Sequence, residues 1–77
     1  MTRKILAPID GKVFQLKVNP GDMVEEDEEI LVIEAMKMET PIFVPCDGVV
    51  KEVRVKEGDE VTENDVLAVI DKKHTEV

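Results

Sequence analysis

The stretch Ala7-Pro8-Ile9-Asp10-Gly11-Lys12-Val13 returns later in the chain as Val44-Pro45-Cys46-Asp47-Gly48-Val49-Val50. Pro8 falls on Pro45, and the same offset of 37 residues carries the match onward without a gap. Identical pairs are Pro8/Pro45, Asp10/Asp47, Gly11/Gly48, Val13/Val50, Val18/Val55, Gly21/Gly58, Asp22/Asp59, Val24/Val61, Glu26/Glu63, Val32/Val69 and Ile33/Ile70. Composition alone gives roughly three identities over such an overlap, so eleven mark an internal duplication. Leu16/Val53, Lys17/Arg54, Ile30/Leu67 and Glu34/Asp71 add chemically similar pairs.

Both halves read as the same succession of pieces. A Pro-x-Asp-Gly turn comes first, with Gly11 and Gly48 expected to supply the positive φ of a tight reversal. A strand follows, over residues 12–18 in one half and 49–55 in the other. Its apolar positions, Val13, Leu16 and Val18 against Val50, Val53 and Val55, break strict alternation at the same place, which implies a bulge or twist in both. A second turn sits at Gly21-Asp22 and Gly58-Asp59. Short acidic stretches over 25–29 and 62–65 are too brief for helices and read as loops. Each half closes on a near-continuous apolar run, Ile30-Leu31-Val32-Ile33 and Val66-Leu67-Ala68-Val69-Ile70, the pattern of a strand buried on both faces. Two all-β halves of this size cannot each hold a core. They must pack together, most economically as an all-β flattened barrel or sandwich with an approximate two-fold axis.

The halves meet in Ile33-Glu34-Ala35-Met36-Lys37-Met38-Glu39-Thr40-Pro41. Strand residues 30–35 run in and 38–44 run out, leaving Met36-Lys37 as the connection. A two-residue hairpin turn favours Asn-Gly or Asp-Gly, because both positions want positive φ. Met-Lys breaks that rule, and a rule broken at one place points to function there. Under the duplication this hairpin corresponds to the two chain ends. Lys37 is therefore expected at one end of the domain and both termini at the other, with residues 73–77 a flexible tail.

Seventy-seven residues allow a single small domain. Hydrophobic residues make up 43% of the chain, yet Phe14 and Phe43 are its only aromatics, so Val, Ile and Leu must build the core. A net charge of −8 disfavours nucleic acid and anionic membrane surfaces as partners. The one cysteine, Cys46, permits no internal disulfide; it matches Ile9 in the other half and reads as a small buried hydrophobe. MTRKILAPID lacks a long apolar run and no stretch approaches a membrane span, so a cytoplasmic protein without membrane insertion is expected. No nucleophile–base pair or metal-ligand spacing is visible, which argues against an enzyme.

Glu34-Ala35-Met36-Lys37-Met38-Glu39 resembles the attachment motif of biotin carboxyl carrier (biotinyl) domains, whose centre is Ala-Met-Lys-Met. The resemblance runs from about Lys4 to Asp71 and includes both turn types and the duplication. It implies a fold of two four-stranded antiparallel sheets and a non-catalytic carrier. Lys37 is then the amine acylated by a biotin protein ligase, with Ala35, Met36 and Met38 as flanking recognition elements. The tethered biotin shuttles a carboxyl group between a biotin carboxylase and a carboxyltransferase or decarboxylase subunit. The loop containing Asn19-Pro20-Gly21-Asp22 equals Lys56-Glu57-Gly58-Asp59 in its half, so there is no room for the inserted thumb of some acetyl-CoA carboxylase carriers. The likeness is to thumbless carriers, as a free-standing subunit or an excised domain.

Acylation needs a neutral amine. A lysine in water titrates near about 10.4, so at pH 7 only about one amine in a few thousand is neutral. The chain therefore need only present Lys37 rigidly, while a ligase removes the proton and supplies activated biotin. Two rivals remain. Lipoyl carriers share the fold but typically carry Asp-Lys-Ala at the tip, and a non-carrier binding module leaves the Met-Lys turn unexplained.

Overall fold

The computed structural model describes residues 2–72, so the tail expected over 73–77 lies outside the described residues. The described residues form eight strands: β1 (Thr2–Leu6), β2 (Gly11–Leu16), β3 (Met23–Val24), β4 (Glu29–Ala35), β5 (Met38–Phe43), β6 (Gly48–Val53), β7 (Glu60–Val61) and β8 (Val66–Lys72). They make two four-stranded sheets, ordered β1-β8-β6-β3 and β5-β4-β2-β7. Every pairing is antiparallel. The duplication carries β1 onto β5, β2 onto β6, β3 onto β7 and β4 onto β8. Applied to the first sheet, it reproduces the order of the second. The pseudo-two-fold therefore exchanges the sheets of the sandwich.

The halves do not pack as two blocks. Each sheet takes two strands from each half, so neither half has a sheet of its own. The expected slip in alternation is a register shift between Val13 and Gln15 in β2 and between Val50 and Glu52 in β6. The strands expected over 12–18 and 49–55 end at Leu16 and Val53 and begin one residue early, at the glycines. Strand β1 and the two-residue strands β3 and β7 have no periodicity of their own, and only the second half's pattern reveals β1.

Ile30, Leu31, Ile33 and their mates Leu67, Ala68 and Ile70 lie fully inside, with Val13 and Val50 between the sheets. Cys46 is buried among them, and among the described residues no polar or charged side chain is. Both phenylalanines stay about half exposed, at 51% each, so the aliphatic residues do build the core. Burial of these β-branched and leucine side chains is the main stabilising term, at about 1.5–3 kcal/mol each.

The Pro-x-Asp-Gly motif has a different physical basis from the one expected. Positive φ occurs at Gly21 (96°) and Gly58 (94°), not at Gly11 or Gly48. Gly11 and Gly48 instead allow close approach: a Cβ on Gly11 would stand 2.6 Å from Ile33 Cγ2 and 2.7 Å from the Glu34 carbonyl oxygen. A Cβ on Gly48 would run into the Asp71 carbonyl oxygen and stand 2.9 Å from Ile70 Cγ2.

The aspartate of the motif joins the halves. Asp10 Oδ1 accepts from the Glu63 backbone N–H at 2.7 Å, and Asp47 Oδ1 accepts from that of Glu26 at 2.7 Å. These N–H groups lie beside turns at Asp27 (φ 69°) and Asn64 (φ 75°), where the acidic stretches reverse the chain as loops. Asp10→Ala and Asp47→Ala should each lower stability by about 1 kcal/mol, since both bonds are charge-assisted but exposed. Urea midpoints of the two variants should fall by similar amounts. A midpoint unchanged in either would show that water replaces the carboxylate without loss.

Candidate functional site

Strands β4 and β5 pair in register up to Ala35 opposite Met38, which leaves Met36 and Lys37 as a two-residue turn. Their φ angles are 52° and 65°, so both adopt the left-handed conformation of a type I′ turn. A non-glycine residue in this region costs about 1 kcal/mol or more. The paired strands, anchored by buried Leu31, Ile33 and Ile42, hold the turn there against local preference.

The four residues singled out in the sequence lie together at this tip. Met36 is 95% exposed, Met38 is 69% exposed, Lys37 projects into solvent, and Ala35 is half-buried at the base. Among the described residues no hydrogen bond or ion pair engages Lys37. Two large apolar side chains are thus held in water on either side of a lysine, where neither contributes to the core. Just below, Glu34 stands directly opposite Glu39, and Lys12 faces Glu34 from β2. Like charges directly opposite are unfavourable. The tip therefore concentrates backbone strain, exposed apolar surface and like-charge repulsion at one lysine.

Lys37 and the described chain ends lie at opposite ends of the domain. Gly48 pairs with Lys72, and its neighbour Asp47 accepts from Glu26, just before the foot of β4 at Glu29. From that foot to Ala35, β4 spans about 20 Å at the usual rise per residue. The expected separation of the tip from the chain ends holds for Thr2 and Lys72.

Two shallow hollows flank the hairpin. One lies between Lys12, Glu34, Met36, Glu60 and Thr62, the other between Pro8, Ile9, Asp10, Met36 and Glu63. A further hollow, lined by Met23, Glu25, Asp47 and Val49, is the two-fold mate of the first and belongs to the far end. Sequence reasoning missed the supports of the tip: Gly11 beneath it, and Ile9 and Asp10 beside it. The duplication did single out the motif containing all three, but not what it rests against.

The family model for biotin-requiring enzymes matches residues 3–70, nearly the whole chain. The chain belongs to that family. Several known proteins match about half of it. The glutaconyl-CoA decarboxylase subunit gamma of Acidaminococcus fermentans is 46% identical over 38 residues, 49% of this chain and 26% of that protein. The biotin carboxyl carrier protein of Streptococcus mutans is 44% identical over 36 residues, 47% of this chain and 28% of that one. The mitochondrial propionyl-CoA carboxylase alpha chain of Caenorhabditis elegans is 45% identical over 38 residues, which cover 49% of this chain and only 5% of its own length. The chain thus spans a small part of the curated relatives it matches. Among solved structures, a single-chain long-chain acyl-CoA carboxylase superposes with a TM-score of 0.88 and 25% identity over 94% of this chain and 7% of its own. The urea carboxylase of Kluyveromyces lactis gives a TM-score of 0.85 and 30% identity over 91% of this chain and 6% of its own. The biotinyl resemblance seen at Glu34–Glu39 therefore extends to the whole fold. Among the described residues no cluster of His, Cys, Asp or Glu suits a metal ion.

Proposed function

We infer that the chain is a biotin carboxyl carrier and that Lys37 is its point of attachment. The observation that carries this reading is a Met36-Lys37-Met38 tip with all three side chains in solvent, held in a strained turn by a domain of the biotin-requiring family. The residues suit the group: a lone exposed amine at a hairpin end admits a ligase active site and then a long acyl chain. In the acylation, the neutral Nζ attacks the carboxyl carbon of biotinyl adenylate. An amide bond forms, the bond to phosphate breaks, AMP leaves and the amine's proton passes to the ligase. Biotin and ATP supply the adenylate.

Biotin, once bound, supplies a ring nitrogen that accepts and donates a carboxyl group. This chain's residues contribute position. An extended lysine with biotin's acyl chain reaches about 14 Å, judged from ordinary bond lengths. The rigid β4–β5 hairpin carries that arm clear of the barrel, and tethering replaces a bimolecular encounter by a high effective concentration. The partners on this reading are a biotin protein ligase, a biotin carboxylase, and a carboxyltransferase or decarboxylase subunit, with the chain itself cytoplasmic. The matched relatives include both a decarboxylase subunit and a carboxylase chain.

Intact mass before and after incubation with a biotin protein ligase, biotin and ATP tests the reading. One biotinyl increment is expected, located on the peptide that contains Lys37. No increment with that ligase but one with a lipoyl ligase would make the chain a lipoyl carrier instead. Failure with both on a folded sample would leave a binding module.

A further inference from the structure

Methionine ordinarily fills gaps in a core, where its flexible thioether adapts to irregular neighbours. None of the described methionines does so in this domain. Met36 is 95% exposed, Met38 69% and Met23 73%. The remaining sulfur among the described residues, the Cys46 thiol, is the enclosed one. Met36 also holds a φ of 52°, a turn position where asparagine or glycine is at ease. Two of the three open thioethers therefore flank Lys37, one on either side. The third, Met23, lies at the far end, opposite Val49 and beside the Gly48–Lys72 pair.

We propose that Met36 and Met38 are a pair of oxidation sites, and that a peroxide, by converting them to sulfoxides, withdraws Lys37 from acylation while the fold stays intact. The proposal rests on the carrier reading and goes beyond it. The thioether sulfur attacks one oxygen of hydrogen peroxide, an S–O bond forms, the O–O bond breaks and hydroxide leaves. The proton left on the new S–OH group passes to that hydroxide, giving sulfoxide and water; sulfur is oxidised and peroxide reduced. Exposure decides where this happens, since susceptibility follows access, and burial shields Cys46. Position decides what it does. A sulfoxide is polar and chiral where the thioether was apolar. An enzyme that acylates Nζ must come within about 6 Å of the Lys37 Cα, the length of an extended lysine side chain. It therefore meets both neighbouring sulfoxides and must strip them of water. Oxidised Met23 lies too far away to be met. Sulfoxides disrupt a protein mainly where methionine packs in a core, and here the core contains no described methionine.

The test treats the full, unbiotinylated chain with hydrogen peroxide, removes the peroxide, and then measures three things. Peptide mass mapping should place sulfoxides on Met36 and Met38, formed at rates within about threefold of free methionine, as their exposure requires. The urea midpoint should stay at its unoxidised value. Steady-state kinetics with a purified biotin protein ligase, biotin and ATP should show KM for the carrier raised about tenfold, the effect of losing one apolar anchor at an interface. Treatment with the two methionine sulfoxide reductases, one for each epimer, should restore KM. Met23→Leu should keep the full response to peroxide. The double variant Met36→Leu/Met38→Leu, whatever its KM beforehand, should show no change of KM on oxidation. The proposal is overturned if KM stays within about twofold with both sulfoxides in place, if the double variant responds as wild type does, or if the urea midpoint falls on oxidation. Slow oxidation of Met36 or Met38, or a KM still raised once the reductases have returned the mass to its starting value, would overturn it as well. An unoxidised wild-type chain that accepts no biotin would sink the carrier reading itself, an outcome distinct from an oxidised chain that accepts it unchanged.

Discussion

Lys37→Gly should lose all acylation by the ligase and gain about 1 kcal/mol of stability. Lys37 sits at φ 65° in the second position of the type I′ turn, the place where glycine is favoured because it has no Cβ to collide with the backbone. No described contact of the lysine side chain is given up, so only the backbone term remains, and its sign favours the variant. Lys37→Arg separates chemistry from charge. It preserves the cation and the strain, but a guanidinium does not deprotonate near neutral pH and does not form the amide. Intact mass after ligase treatment should show no increment for either variant, and the urea midpoint should rise for Lys37→Gly alone. Biotin incorporated into Lys37→Arg would place the attachment on another lysine. A midpoint that falls in Lys37→Gly would mean that the turn is not under strain.

Gly11→Ala and Gly48→Ala should each cost about 3 kcal/mol, a large part of the roughly 5 kcal/mol that a domain of this size commands. On an ordinary exposed strand, alanine for glycine at a compatible φ stabilises slightly through the unfolded chain. Here the added methyl meets what cannot yield. At Gly48 the obstacles are the Asp71 carbonyl oxygen and Ile70 Cγ2, and at Gly11 they are Ile33 Cγ2 and the Glu34 carbonyl oxygen. Both clashes engage a backbone carbonyl that belongs to a sheet ladder and a fully buried isoleucine. Relief requires a neighbouring strand to shift. Urea unfolding should give comparable losses for the pair, because the two-fold makes their surroundings equivalent. A loss below about 1 kcal/mol in either would show that the sheet gives way more easily than these contacts imply.

Much of the architecture was legible because a duplication doubles every weak signal. The slip in apolar spacing at Val13 and Val50 would be noise in one strand; repeated at the same place in both halves, it identified the bulges that the register shows. The continuous runs at Ile30–Ile33 and Leu67–Ile70 identified buried strands, since alternation is absent only where both faces are covered. Strands β3 and β7 were not legible, because two residues hold no period. Equally hidden was the purpose of Gly11 and Gly48. A glycine needed for a positive φ and a glycine needed for close approach look alike in a sequence. The site was found by the reverse route, through a turn whose residues contradict its length. Its supports were missed because Ile9, Asp10 and Gly11 lie more than twenty residues from Lys37 along the chain.

The sequence by itself determined that the domain is twofold, that its core is aliphatic and that one lysine stands at the junction of the repeats. These are properties of spacing and composition, carried by residues close together or by a single constant offset. Only the tertiary structure decided that the halves interleave through both sheets, that Met36 and Lys37 hold positive φ, and that the apolar side chain at position 9 lies open while its twin at 46 is enclosed. Each of those depends on which strand lies against which. Contacts between segments distant in the chain set a strand's neighbours, and those contacts are strong enough to hold two residues where their own propensities would not.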